Sequence, residues 1–104
     1  MTLNYINKCL ANLNEDLAIV NGTIEALENN TGLIEYREEK LNSGRRLRDD
    51  ILTTIEAYEA KKKALMLQAQ KAALQDCINE AKTDDELATF TAMLAKFNTL
   101  HPEI

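Results

Sequence analysis

Glycine and proline are scarce in this 104-residue chain, with 3 Gly and 1 Pro. A fold of many short strands needs tight turns, and tight turns need those residues, so an all-β architecture is excluded. Tryptophan is missing, and there are only 2 Phe and 3 Tyr. Any core must therefore be aliphatic and shallow. The single histidine, His101, lies in what reads as a frayed tail. That excludes a His-based metal site within one chain and any His-Glu-x-x-His motif, and no metal or other cofactor is expected. The two cysteines, Cys9 and Cys77, form no Cys-x-x-Cys pair, which predicts free thiols in a reducing, cytoplasmic setting. No apolar run is long enough to span a bilayer, so no membrane association is expected. The first residues lack a basic start followed by an unbroken apolar stretch, so no secretory signal is expected. No phosphate-cradling glycine loop and no Gly-x-Ser-x-Gly elbow occurs. The thiols have no base placed beside them by sequence, so both read as inert. The chain is not expected to be an enzyme.

What remains is a helix composition. Hydrophobic residues make up 45% and charged residues 28%, too apolar for a disordered chain and suited to one small helical domain over 1–104. Leu3, Ile6, Leu10, Leu13, Leu17, Val20, Ile24 and Leu27 follow one another at spacings of three and four without a miss. That is the heptad line along which two helices wind together, and it predicts helix 1 over about 3–29. Thr2 or Asn4 can cap its start, and Asn29-Asn30-Thr31-Gly32 can end it. Gly22 predicts either a kink or a close neighbour, and the unbroken heptad phase across it favours one continuous helix.

A second helix is expected over about 33–82, with a candidate break at Ser43 and Gly44. Leu47, Ile51, Ile55, Tyr58, Leu65, Ala69 and Ala72 or Ala73 share one face of it, and Lys62 falls on that face too. From Leu65 onward the apolar surface widens. Met66 and Cys77 extend the line to one side, while Leu67, Leu74 and Ile78 lie on nearly the opposite face, so two partners are needed. Thr83-Asp84-Asp85-Glu86 is a capping box that opens a third helix over about 84–98, with Leu87, Phe90, Leu94 and Phe97 as its apolar line. The expected fold is all-α. It is an antiparallel coiled-coil-like helical hairpin with a long central helix, helix 1 along its first part and a short third helix along its last.

Charge is unevenly distributed. Residues 1–39 carry a net −5, residues 40–71 a net +4 and residues 72–104 a net −4, within an overall −5. The basic middle holds Arg45, Arg46 and Arg48, then Lys61, Lys62 and Lys63, an anion-binding stripe in outline. The competing expectation is a solvated face neutralised by the i,i+4 pairs Arg45–Asp49, Arg46–Asp50 and Glu59–Lys63. No aromatic residues alternate with the basic ones to stack on bases, which favours the solvated face.

Three functional readings follow. The leading one is a protein–protein interaction module, an adaptor, small regulator or inhibitor of a larger protein. It would act through the apolar line Leu10, Leu13, Leu17, Val20, Ile24 and Leu27, and would bind itself or another protein. The second is nucleic-acid or polyanion binding by the basic middle. The third is a small helical enzyme holding an anionic metabolite between subunits, with Arg37, Arg45, Arg48 and Lys62 as candidate ligands.

Overall fold

The computed structural model describes residues 1–29 and 36–104. It is all-α among these residues, with α1 over Leu3–Asn29, α2 over Arg37–Glu80 and α3 over Asp84–Leu100. The architecture is the coiled-coil-like hairpin with a long central helix and a short third one. The chain divides into two compact units, Met1–Lys62 and Lys63–Ile104.

In the first unit, α1 lies antiparallel to the opening part of α2. The Thr2 hydroxyl caps α1 by accepting the Tyr5 N–H at 3.2 Å. Ile6, Leu10 and Ile24 are buried, Leu13, Leu17, Val20 and Leu27 are half-buried, and Leu3 stays exposed. The heptad line therefore faces α2 along nearly its whole length. α1 runs unbroken through Gly22, where an added Cβ would meet nothing within 4 Å. The helix is continuous, as the unbroken heptad phase predicts, but the close neighbour is absent, because Gly22 sits on the solvent side of α1.

The proposed break at Ser43 and Gly44 does not occur either, since α2 passes straight through both. Gly44 is the point of close approach: a Cβ there would lie 3.1 Å from Ile24 Cγ1. The inner line of α2 is Leu41, Gly44, Arg48, Ile51, Ile55, Tyr58 and Lys62, buried or half-buried at steps of three and four. Leu47, expected on this line, is 51% exposed, while Leu41, not expected there, is buried. Ala69, Ala72 and Ala73 are also exposed. The missing methyl at Gly44 sets the phase. It lets the helices close on that residue, and Arg48 and Lys62 then lay their methylenes along the line with their charges outward. The proposed ending at Asn30, Thr31 and Gly32 and the proposed helix 2 start at Leu33 lie outside the described residues. α2 is seen from Arg37, and Lys40 N–H donates to Tyr36 O at 3.0 Å on its first turn.

These two glycines give a paired prediction. Gly22→Ala should raise stability by about 1 kcal/mol, the helix-propensity difference in open space. Gly44→Ala should gain less or lose, because Ile24 must yield to the new methyl. Thermal melts of the two variants beside the parent chain check the difference.

In the second unit, α3 runs back along the closing part of α2. The α2 side of the contact is Ala64, Leu67, Lys71, Leu74, Ile78 and Ala81, all half-buried. Thr83 caps α3 by accepting the Glu86 N–H at 3.1 Å, and the Glu86 carboxylate reaches back to the Lys82 N–H at 3.2 Å. α3 continues to Leu100, two residues past the expected stop, and ends at His101. His101 is not in a frayed tail. Its ring packs 4.9 Å from Phe97, its N–H donates to Phe97 O at 2.9 Å, and Lys71 Nζ donates to Ile104 O at 2.9 Å. Phe97 is buried and Phe90 and Leu94 half-buried, but Leu87, expected on the inner line, is exposed.

Candidate interaction surfaces

The six residues of the α1 line are spent inside the chain. Leu10 and Ile24 are buried, and Leu13, Leu17, Val20 and Leu27 are half-covered by α2. Their remaining exposed edges are what a two-helix layer leaves open.

The basic middle is largely engaged as well. Arg37 Nε and Nη2 donate to Leu27 O at 2.7 Å and Glu28 O at 2.9 Å, which satisfies orphan carbonyls at the C-terminal end of α1 with a cation. Arg45 pairs across the hairpin with Glu28 at 3.3 Å rather than with Asp49. Asp49 instead meets Arg48 at 3.5 Å. The expected pairs Arg46–Asp50 and Glu59–Lys63 are not within ion-pair distance among the described residues. Lys61 lies 5.7 Å from the Tyr58 ring, Lys62 is half-buried on the inner line, and Arg46 and Lys63 are exposed. At 1.5 Å per residue, Arg37 and Lys62 are about 37 Å apart along α2, too far to share one small anion.

Cys9 is half-buried between Tyr5 of α1 and Tyr58 of α2, and Cys77 is half-buried on α2; both thiols are free. Both phenols titrate above their ordinary 10. The first cause for each is the hydrogen bond with Cys9, followed by repulsion from negative charge on its sulfur and a contribution from desolvation; the hydrogen bond to Tyr58 partly offsets this at Tyr5. A phenol raised in the folded state stabilises the fold fully below pH 10, and that contribution is lost as pH rises through the folded value. Cys9→Ala should therefore reduce the fall in melting temperature on the alkaline side of the phenol range. Melts across that range check it.

Among the described residues, no three His, Cys, Asp or Glu side chains group as metal ligands, and no helix is long and apolar enough to cross a membrane. One groove, lined by Thr23, Leu27, Tyr36, Glu39, Lys40 and Ser43, carries charge of both signs, as ordinary solvated surface does. A second groove, of about 320 Å³, is different. It lies within the second unit between α2 and α3, lined by Gln70, Ala73, Leu74, Cys77 and Phe97.

This second groove has no acidic or basic residue in its lining, and its surroundings extend the same character. Met66 precedes Gln70 by four residues on α2, and Met93 and Leu100 flank Phe97 on α3 at the i−4 and i+3 positions. Met66 and Met93 are each 48% exposed and Leu100 is 64% exposed. Only Phe97 is buried in this whole unit. A small two-helix unit with one buried side chain lacks the core it needs by itself, so an open apolar face here calls for cover. The Met66 and Cys77 side of α2 was legible in the sequence. Met93 and Leu100 were missed, although their seven-residue spacing beside Phe97 is a usable signal.

Comparison with family models, with curated proteins and with solved structures found no match to this chain.

Proposed function

We propose that the chain is a non-enzymatic protein–protein interaction module, working as an adaptor, regulator or inhibitor in the cytoplasm. The uncharged groove of the second unit, with the exposed Met66, Met93 and Leu100 around it, carries this reading. In helix-in-groove recognition an amphipathic helix of the partner lays apolar anchors at i, i+3, i+4 and i+7 into an apolar trough. Ala73, Leu74, Cys77 and Phe97 make the trough, and the exposed Met66, Met93 and Leu100 rim it. Methionine suits such a surface, because its unbranched, polarisable side chain adapts to different partners. The free thiols fit a reducing compartment.

This reading moves the contact surface away from the α1 line, which is engaged with α2. Polyanion binding has less support, since Arg37, Arg45, Arg48, Lys61 and Lys62 are engaged along the hairpin. A mobility-shift assay should show no salt-dependent retention of nucleic acid at micromolar protein.

Site-specific photocrosslinking in the native host tests the leading reading. A benzophenone side chain at Met93 should capture protein, whether this chain or another. The same group at Thr91, an exposed α3 position about 160° round the helix from Met93, should capture little. No adduct at Met93, or equal adducts at both positions, overturns the reading.

A further inference from the structure

We infer that the occupant of this face is a second copy of the same chain, joined about a two-fold axis so that two α2–α3 pairs form a four-helix bundle. The inference rests on the reading above and names its partner. Three observations select a second copy.

The first is area. α3 has 17 residues, so the whole side of the α2–α3 pair, apolar patch and polar rim together, is about 25 Å long and, across two packed helices, about 20 Å wide. That is about 500 Å² per copy and about 1,000 Å² for the pair, the lower bound for a specific interface. The second is self-complementarity. An isologous contact requires one patch to supply both ridge and groove. Met66, Met93 and Leu100 stand out from a surface whose trough is formed by Ala73, Cys77 and Phe97.

The third is charge. Asp76 and Glu80 flank the trough on the α2 edge, and Lys96 flanks it on the α3 edge; all three are exposed. None of them forms an ion pair within the chain among the described residues. A two-fold axis lying in the face and parallel to the helices sets each α2 over the α3 of the other copy. The Asp76 and Glu80 edge then meets the partner's Lys96, and the reverse contact repeats on the other side. A neutral trough between an acidic edge and a basic edge is the pattern such an axis matches with itself.

Sedimentation equilibrium of the full chain, from about 10 µM to about 300 µM, is the test, chosen because an interface of this size gives micromolar association. The expected result is a monomer–dimer equilibrium rising from 11.7 kDa toward twice that mass. Met93→Asp should weaken the dimer by more than about tenfold, since it places a charge against the partner's apolar surface. Because that change also alters the face itself, charge exchange supplies an independent check on exposed residues. The double change Asp76→Lys with Glu80→Lys, and separately Lys96→Glu, should each weaken the dimer by about fivefold, and the three together should restore it. Circular dichroism must show parental helicity for each variant.

A chain that stays at 11.7 kDa throughout overturns the inference. So does a dimer indifferent to Met93→Asp, or one that the combined charge exchange fails to restore. The photocrosslinking result separates this failure from failure of the broader reading. A monomeric chain that still yields a Met93 adduct with a different protein removes the self-association and leaves the interaction module. No adduct removes both.

Discussion

Phe97→Ala should cost the second unit about 3–5 kcal/mol, the usual penalty for emptying a buried aromatic site. Phe97 is the only buried residue in Lys63–Ile104 and packs on the His101 ring at the end of α3. Nothing else in that unit has comparable burial to compensate. A small domain's entire stability is of order 5–15 kcal/mol, so the loss should release α3 locally. Residue-resolved hydrogen exchange is the suitable measurement. Protection along Asp84–Leu100 should collapse in the variant, while protection in α1 persists. The caps at Thr83 and Glu86 will not rescue α3, because one capping box is worth only about 1 kcal/mol. If α3 keeps its protection without the Phe97 ring, burial of that ring is not what holds it.

Ile6→Ala should be the most damaging truncation on α1, at about 2–5 kcal/mol. Ile6 is 0% exposed, the lowest value among the described residues. Ile19 provides the internal control. It has the same side chain on the same helix and is 68% exposed, so Ile19→Ala should move stability by no more than about 0.5 kcal/mol. Urea unfolding of the two variants compares them directly. Equal costs would mean that the heptad line does not supply the hairpin's stability.

Parts of this architecture were open to reading and parts were not, for reasons that lie in particular residues. Every position of the α1 line from Leu3 to Leu27 is aliphatic, so its period stands out and the helix bounds follow. The Thr83 to Glu86 box announces α3 because a hydroxyl three residues before a carboxylate has a defined capping geometry. The inner line of α2 was harder. At Gly44 and Arg48 the inward position is held by a residue that does not look apolar, whereas spacing alone puts Lys62 on that face. Leu47, next to Arg48, attracts the assignment that Arg48 fills. Hydrophobicity alone cannot see a glycine that is there to let a neighbour in, or an arginine whose stem is covered while its head pairs with Asp49. The open face was half legible. Met66 and Cys77 signal a widened stripe, but on α3 the stronger line of Leu87, Phe90, Leu94 and Phe97 masks Met93 and Leu100 beside it. The basic middle misled in another way. A row of cations in sequence looks available, whereas Arg37 and Arg45 find their partners at Leu27 and Glu28 only when α1 and α2 fold together.

The approach of Ile24 to Gly44 has an evolutionary corollary. The two positions share one small volume, 20 residues apart in sequence. A bulkier residue at 44 can be accommodated if 24 shrinks to valine or alanine, and a glycine at 44 leaves room for a branched residue at 24. Relatives of this chain should therefore vary at these two sites in concert, and the correlation would mark the hairpin's register in any alignment that contains them.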